Sequence, residues 1–228
     1  MMPLTPNDVT ALLLTVKLAA ISTIVLLFVG TPLALWLAKS NWRYKFLIEA
    51  LVAMPLVLPP TVLGFYLLIA LSPNSFLGGA FQAATGRSLA FSFLGLVIGS
   101  VVYSLPFVIQ PLQNAFAAID KRSLEVASTL GASPLDRFFS IILPLAKPGF
   151  ISASILGFAH TMGEFGVILM IGGNIPGETQ VASIAIYEHV ESMQTSNAHW
   201  LSASLLLISF VLLIMVYAAN RQSPIMKF

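Results

Sequence analysis

Five stretches of this chain, at residues 9–38, 46–71, 91–117, 143–171 and 200–219, are apolar over lengths that can cross a bilayer. Crossing takes about 20 residues at 1.5 Å rise each. In hydrocarbon every backbone N–H and C=O must be bonded internally, which makes these stretches helices. The expected fold class is therefore an all-α membrane protein, one transmembrane domain over residues 1–228 with five transmembrane helices. Composition agrees, because 9% of residues are charged and 57% hydrophobic, against about 25% charged in soluble domains. The first stretch is too long for a signal core and follows Asp8 with no basic residue before it, so it reads as a retained span.

Several functions are excluded by what is missing. There is no cysteine, and His160, His189 and His199 are widely spaced without a paired-ligand pattern, so neither a metal site nor a thiol nucleophile is expected. The basic residues do not cluster and net charge is +2, which gives no footprint for nucleic acid. No Walker A pattern occurs, so the chain does not hydrolyse ATP by that route.

Lysine and arginine set the orientation. Lys39, Arg43 and Lys45 lie between spans one and two, Lys121, Arg122, Arg137 and Lys147 between three and four, and Arg221 and Lys227 after span five. Apart from these, the loops hold only Arg87. By the positive-inside rule the N-terminus is periplasmic, while the corner at 120–144 and the C-terminus are cytoplasmic. Within that corner Asp120 can cap a helix with Leu124, Ala127 and Leu130 on one stripe, and Gly131 can end it in a left-handed turn. Ser133-Pro134 then starts a second short helix, and Pro144 and Pro148 mark its passage into span four. The residues alone fit either a well-capped connecting loop or a knob gripped by a soluble partner.

Four spans carry helix-breaking or polar residues. Gly30-Thr31-Pro32 predicts a kink in span one. Pro55, Pro59, Pro60 and Gly64 predict a break inside span two, tolerated only where protein or a wet cavity meets the freed carbonyls. Such breaks point to a substrate path. Span four holds His160 and Glu164, four residues apart on one face. An intramembrane carboxylate needs a partner or water, and Lys17, at a similar depth in span one, or a backbone cluster near the glycines is the expected partner. The pair also suits a proton relay in a secondary transporter. Thr61, Ser100, Ser104 and Thr161 are hydroxyls available to a path, though such groups usually bond within or between helices. Gln110, Gln113 and Asn114 could line a cytoplasmic mouth. Of the two long outer connections, 72–90 is rich in glycine and serine; 172–200 carries Glu178, Glu188 and Glu191 and predicts a short helix at 181–190, interfacial or lid-like.

Glu125, Ala127, Gly131, Ile141, Leu143 and Pro144 match, in spacing, the "EAA, then Gly, then I-x-LP" motif of ABC-importer permeases; Val126 departs from it. The chain resembles that family, in which this corner is the coupling helix docked on a cytoplasmic ATPase. The resemblance implies the same role for residues 121–135, with Glu125, Ala127, Gly131, Ala132, Leu143 and Pro144 as coupling residues. MPLVLPPTVLGFYLL (54–68) and GEFGVILMIGGNIPGETQ (163–180) resemble the corresponding segments of molybdate permeases. That resemblance implies a homodimer in a bacterial inner membrane, two ABC ATPase subunits that bind ATP and Mg, and a periplasmic molybdate-binding protein. It implies no cofactor on this chain and a translocation path near Pro59, Pro60, Thr61, Gly163, Glu164 and Gly166. Sulfate permeases are similar enough to remain an alternative, and tungstate could share the path.

Overall fold

The computed structural model describes residues 4–221; Lys227 and the tail around it, expected on the cytoplasmic side, lie outside the described residues. These residues form helices without strands. The first, α1 (Pro6–Lys39), starts in a capping box: the Thr5 hydroxyl accepts from the Asp8 N–H at 3.2 Å, and the Asp8 carboxylate accepts from the Thr5 N–H at 2.8 Å. It runs unbroken through Pro32, with the Thr31 hydroxyl bonded to the Leu27 carbonyl at 2.6 Å.

Span two is broken where the prolines stand. Helix α2 (Lys45–Ala53) passes through a 3-10 turn at Met54–Leu56 and stops, and α3 (Pro60–Leu71) departs at 110°. Pro59 and Pro60 cannot donate to a helical ladder, and Pro60 forces Pro59 into the extended conformation seen there, φ −55° and ψ 134°. The connection after span two then forms α4 (Phe76–Thr85), capped by Ser75 and closed by Gly86 at φ 72°.

Helix α5 (Phe93–Ala117) is the second long central element. After it come the corner helices α6 (Lys121–Thr129) and α7 (Pro134–Arg137), a π turn at Phe138–Ile142 and the short α8 (Leu143–Leu145). Helix α9 (Lys147–Met162) follows at a 72° bend. The expectation of one continuous span over 143–171 is corrected. The helix begins at Lys147, stops at Met162 and resumes as α10 (Gly166–Gly172), with Gly163 and Glu164 in the gap. The chain closes with α11 (Ala182–Glu191) and α12 (Thr195–Arg221). Among the described residues three helices are long and apolar enough to cross a membrane, or up to five spans if each bent pair counts as one.

Helices α1, α5 and α9 pack as the core of the bundle, with Leu26 and Leu37, Leu112 and Phe116, and Ala153 fully buried among them. Without a hydrophobic drive between helices in lipid, close packing of small residues holds such a bundle. At Gly157 an added Cβ would come 2.6 Å from a Val108 methyl, so the α5–α9 approach depends on the missing side chain. Gly157→Leu is expected to destabilise the bundle by about 1–3 kcal/mol through overpacking. Thermal unfolding of the detergent-purified chain checks this, and an unchanged midpoint would show that the interface gives way freely.

Candidate functional site

The breaks in spans two and four meet. Gly166 lies so close to the start of α3 that an added Cβ would stand 3.0 Å from the Pro60 ring. Between them is a cavity of about 550 Å³, lined by Pro60 and Thr61, by Tyr103 of α5, and by His160, Gly163, Glu164 and Gly166 among others. Five of the six residues expected near a path, Pro60, Thr61, Gly163, Glu164 and Gly166, line this one space. The sixth, Pro59, is the residue preceding α3.

Glu164 is 3% exposed, and its carboxylate is held from α5. Ser100 Oγ donates to Oε2 and Ser104 Oγ to Oε1, each at 2.6 Å. The expectation that Lys17 or a backbone cluster satisfies Glu164 is therefore corrected. Lys17 Nζ lies 4.6 Å from the Phe93 ring centroid instead, where the ring face receives the ammonium. An ionised carboxylate at the bilayer centre costs about 2.5–3.5 kcal/mol on insertion scales, while a hydrogen bond to a charged group returns about 1.5–3 kcal/mol. Two such bonds offset the burial.

Ser104 is the hub of the cluster. Its oxygen also lies 2.8 Å from His160 Nδ1 and 3.0 Å from Thr161 Oγ1. A hydroxyl has one proton and can accept two more. With that proton given to the carboxylate, Ser104 accepts from Thr161 and from an Nδ1–H of His160, which fixes the imidazole tautomer. The ring stacks on Phe107 at 3.8 Å and sits on the cavity wall. Its Nε2 has no hydrogen bond among the described residues and is not among their buried unpaired atoms, so it is the polar atom the cluster leaves open. Sequence reasoning named these hydroxyls but not their role. The signal was available: Ser100 and Ser104 are four apart on one face of α5, and His160 and Glu164 are four apart in the sequence, across the end of α9.

At the corner the local expectations are met. Asp120 accepts from the Arg122 N–H at 3.1 Å, Gly131 has φ 85°, and Ser133 accepts from the Asp136 N–H at 3.1 Å. Helix α6 buries no residue completely, and Val126, Leu130 and Leu135 are exposed. Glu125 and Pro144 are exposed too, whereas Ala127, Ala132 and Leu143 are half-buried. The corner lies apart from the polar cavity, to which none of its residues contributes. Gln113 is engaged with Glu49 at 2.9 Å. On the other side α11 is a packed element, with Ala182 N–H donating to Thr15 Oγ1 at 2.8 Å and His189 Nε2 lying 2.7 Å from Asp8 Oδ1. Two of the acidic residues there are occupied, Glu188 by Asn174 and Gln180, and Glu191 by Tyr187.

Bent apolar helices around a cavity with the Glu164 cluster in its wall, together with a capped and exposed corner set apart from it, are the arrangement of a multi-pass membrane transport subunit. Residues 30–222 match the family described as binding-protein-dependent transport system inner membrane component, and the chain belongs to it. It is 56% identical over 220 residues to the molybdenum transport system permease protein ModB of Azotobacter vinelandii, covering 96% of this chain and 97% of that one. With the ModB protein of Haemophilus influenzae the identity is 37%, over 90% and 88% of the two chains. Its fold is that of a bacterial ABC transporter that imports the polysaccharide alginate, with a TM-score of 0.72 at 19% identity, covering 98% of this chain and 81% of that one.

Proposed function

We propose that this chain is the membrane-spanning subunit of an ATP-driven importer that carries molybdate from a periplasmic binding protein to the cytoplasm. The observation that carries the reading is the 56% identity to a molybdenum permease over nearly the whole of both chains. Two copies related by a two-fold axis form one central path, each with five spans, a periplasmic N-terminus and a cytoplasmic corner. The lysines and arginines at 39–45 and 121–147 support that orientation.

In this reading the ATPase subunits bind ATP and Mg and grip the corner around Glu125, Ala127 and Gly131, while Leu143 and Pro144 pass the movement to α9. Closing and opening of the ATPases then alternate the access of the path, a coupling free energy between nucleotide site and cavity. The cavity at Pro60, Thr61 and His160 is a station on that path. An oxyanion crossing hydrocarbon needs hydrogen-bond donors more than fixed cations, which would hold it too long. The Ser100 and Ser104 hydroxyls donate to Glu164 and are not free to serve the anion, which leaves Thr61 as a hydroxyl in the cavity wall.

Labelled molybdate uptake tests the reading in cells lacking only this subunit. Restoring the chain is expected to restore uptake, with excess tungstate competing and excess sulfate not. Competition by sulfate would make it a sulfate permease, and uptake that persists without the ATPase would make the Glu164–Ser104–His160 cluster a proton relay.

A further inference from the structure

A second cavity, of about 420 Å³, lies between the end of α1 and the corner, away from the Glu164 cluster. Its walls are apolar, from Pro32, Leu35, Trp36 and Phe138, and two cations, Lys39 and Arg137, stand in them. The Nε of Arg137 is buried and has no hydrogen-bond partner among the described residues. A buried guanidinium nitrogen without an acceptor is costly, and it calls for a partner that a water, an ion or a ligand can supply. The neighbouring acids do not supply the acceptor. Asp136 takes the Ser140 hydroxyl at 3.1 Å and Asp120 the Arg122 N–H at 3.1 Å, and neither forms an ion pair with Arg137 among the described residues. Lys39 uses one donor on the Ile119 carbonyl at 3.0 Å, and an ammonium has three.

An apolar groove with an aromatic wall and two cations in its lining matches one chemistry. The guanidinium fork binds phosphate oxygens bidentately and a lysine adds a point charge, and basic pockets beside membrane helices take anionic headgroups. Trp36, 40% exposed, has the amphipathic ring favoured at the headgroup level. We propose that this groove binds an anionic glycerophospholipid of the leaflet next to the corner. Arg137 and Lys39 hold the phosphodiester, and an acyl chain lies along Leu35, Trp36 and Phe138. The lipid thereby joins α1 to the corner helices, and its binding is independent of which anion the subunit transports.

Trp36 supplies the probe. In the full chain carrying Trp42→Phe and Trp200→Phe, reconstituted alone and with its co-expressed ATPase, phosphatidylglycerol with brominated chains is expected to half-quench Trp36. It should do so at a mole fraction at least threefold lower than brominated phosphatidylcholine. Lys39→Gln with Arg137→Gln should erase that preference, and Arg137→Lys, which keeps the charge and folds more readily, should reduce it without removing it. Equal quenching by both lipids overturns the proposal, as does a preference that survives either variant unchanged. Displacement of the preference by millimolar inorganic phosphate or molybdate would make the groove a free-anion site. Loss of quenching by both lipids once the ATPase is present would mean that protein fills it.

Discussion

Gly131→Val is expected to lower substrate uptake at least tenfold while the protein still inserts and folds. Gly131 has φ 85°, and nothing lies within 4 Å of a Cβ built there. The substitution therefore meets no clash, and its whole effect is conformational. A non-glycine residue in the left-handed region costs about 1–2 kcal/mol, and a β-branched one is a genuine outlier there. The corner relieves the strain by turning α7 relative to α6, which moves Glu125 and Leu135 out of register with whatever grips them. Gly131→Asn, whose side chain tolerates the left-handed region, should keep most of the activity. Uptake and binding-protein-stimulated ATP hydrolysis, measured together, separate lost coupling from lost protein. Normal transport by the valine variant would reduce the corner to a connecting loop.

Glu164→Ala should do more damage, to folding as well as transport. It removes the acceptors of the Ser100 and Ser104 hydroxyls; Ser104 can turn its proton to Thr161 or His160, whereas Ser100 is left a buried donor without its partner, at about 1–3 kcal/mol. Folded yield is expected to fall severely and uptake to vanish. Glu164→Gln keeps one acceptor oxygen and can donate from its amide to a serine, so it should fold and transport at a reduced rate. In the same background Lys17→Met should add independently, within about 0.3–0.5 kcal/mol, because Lys17 rests on Phe93. Coupling beyond that would restore the Lys17–Glu164 pair. Fluorescence-detected size exclusion and initial uptake rates read both quantities.

Much of the architecture was legible in the residues, because backbone chemistry is local. Pro59-Pro60 announces the 110° turn of span two, and Asp120, Gly131 and Ser133-Pro134 announce the corner, since caps and left-handed turns depend on a few neighbouring residues. The break in span four was not read, although Gly163 and Gly166 bracket it, because glycine permits a break without enforcing one. The partner of Glu164 was missed for a different reason. Counting residues gives depth along a helix but not rotation between helices, and Lys17 at the right depth faces Phe93. Gly157 lets α9 approach α5 closely at Val108, and Ser100 and Ser104 meet Glu164 farther along the same pair. The groove at Arg137 was not legible either, since it joins the end of α1 to residues almost 100 positions later.

The π turn at Phe138–Ile142 has a mechanical consequence. Its backbone bonds reach five residues, with the Leu143 N–H donating to the Phe138 carbonyl, and Pro144 and Pro148 have no N–H to give to the carbonyls four residues back. The joint between the corner and α9 is thus short of the bonds that make a helix stiff. A push on the corner would change the 72° angle against a thinned ladder, in which the Ala146 N–H to Ile142 and Phe150 N–H to Ala146 carbonyl bonds remain, so the segment has the build of a flexure: compliant in bending, yet stiff along its length where α8 and the π turn are wound. If a partner grips the corner, force applied there would reach α9 as tilt, and tilt at the far end of α9 would displace the wall that carries His160.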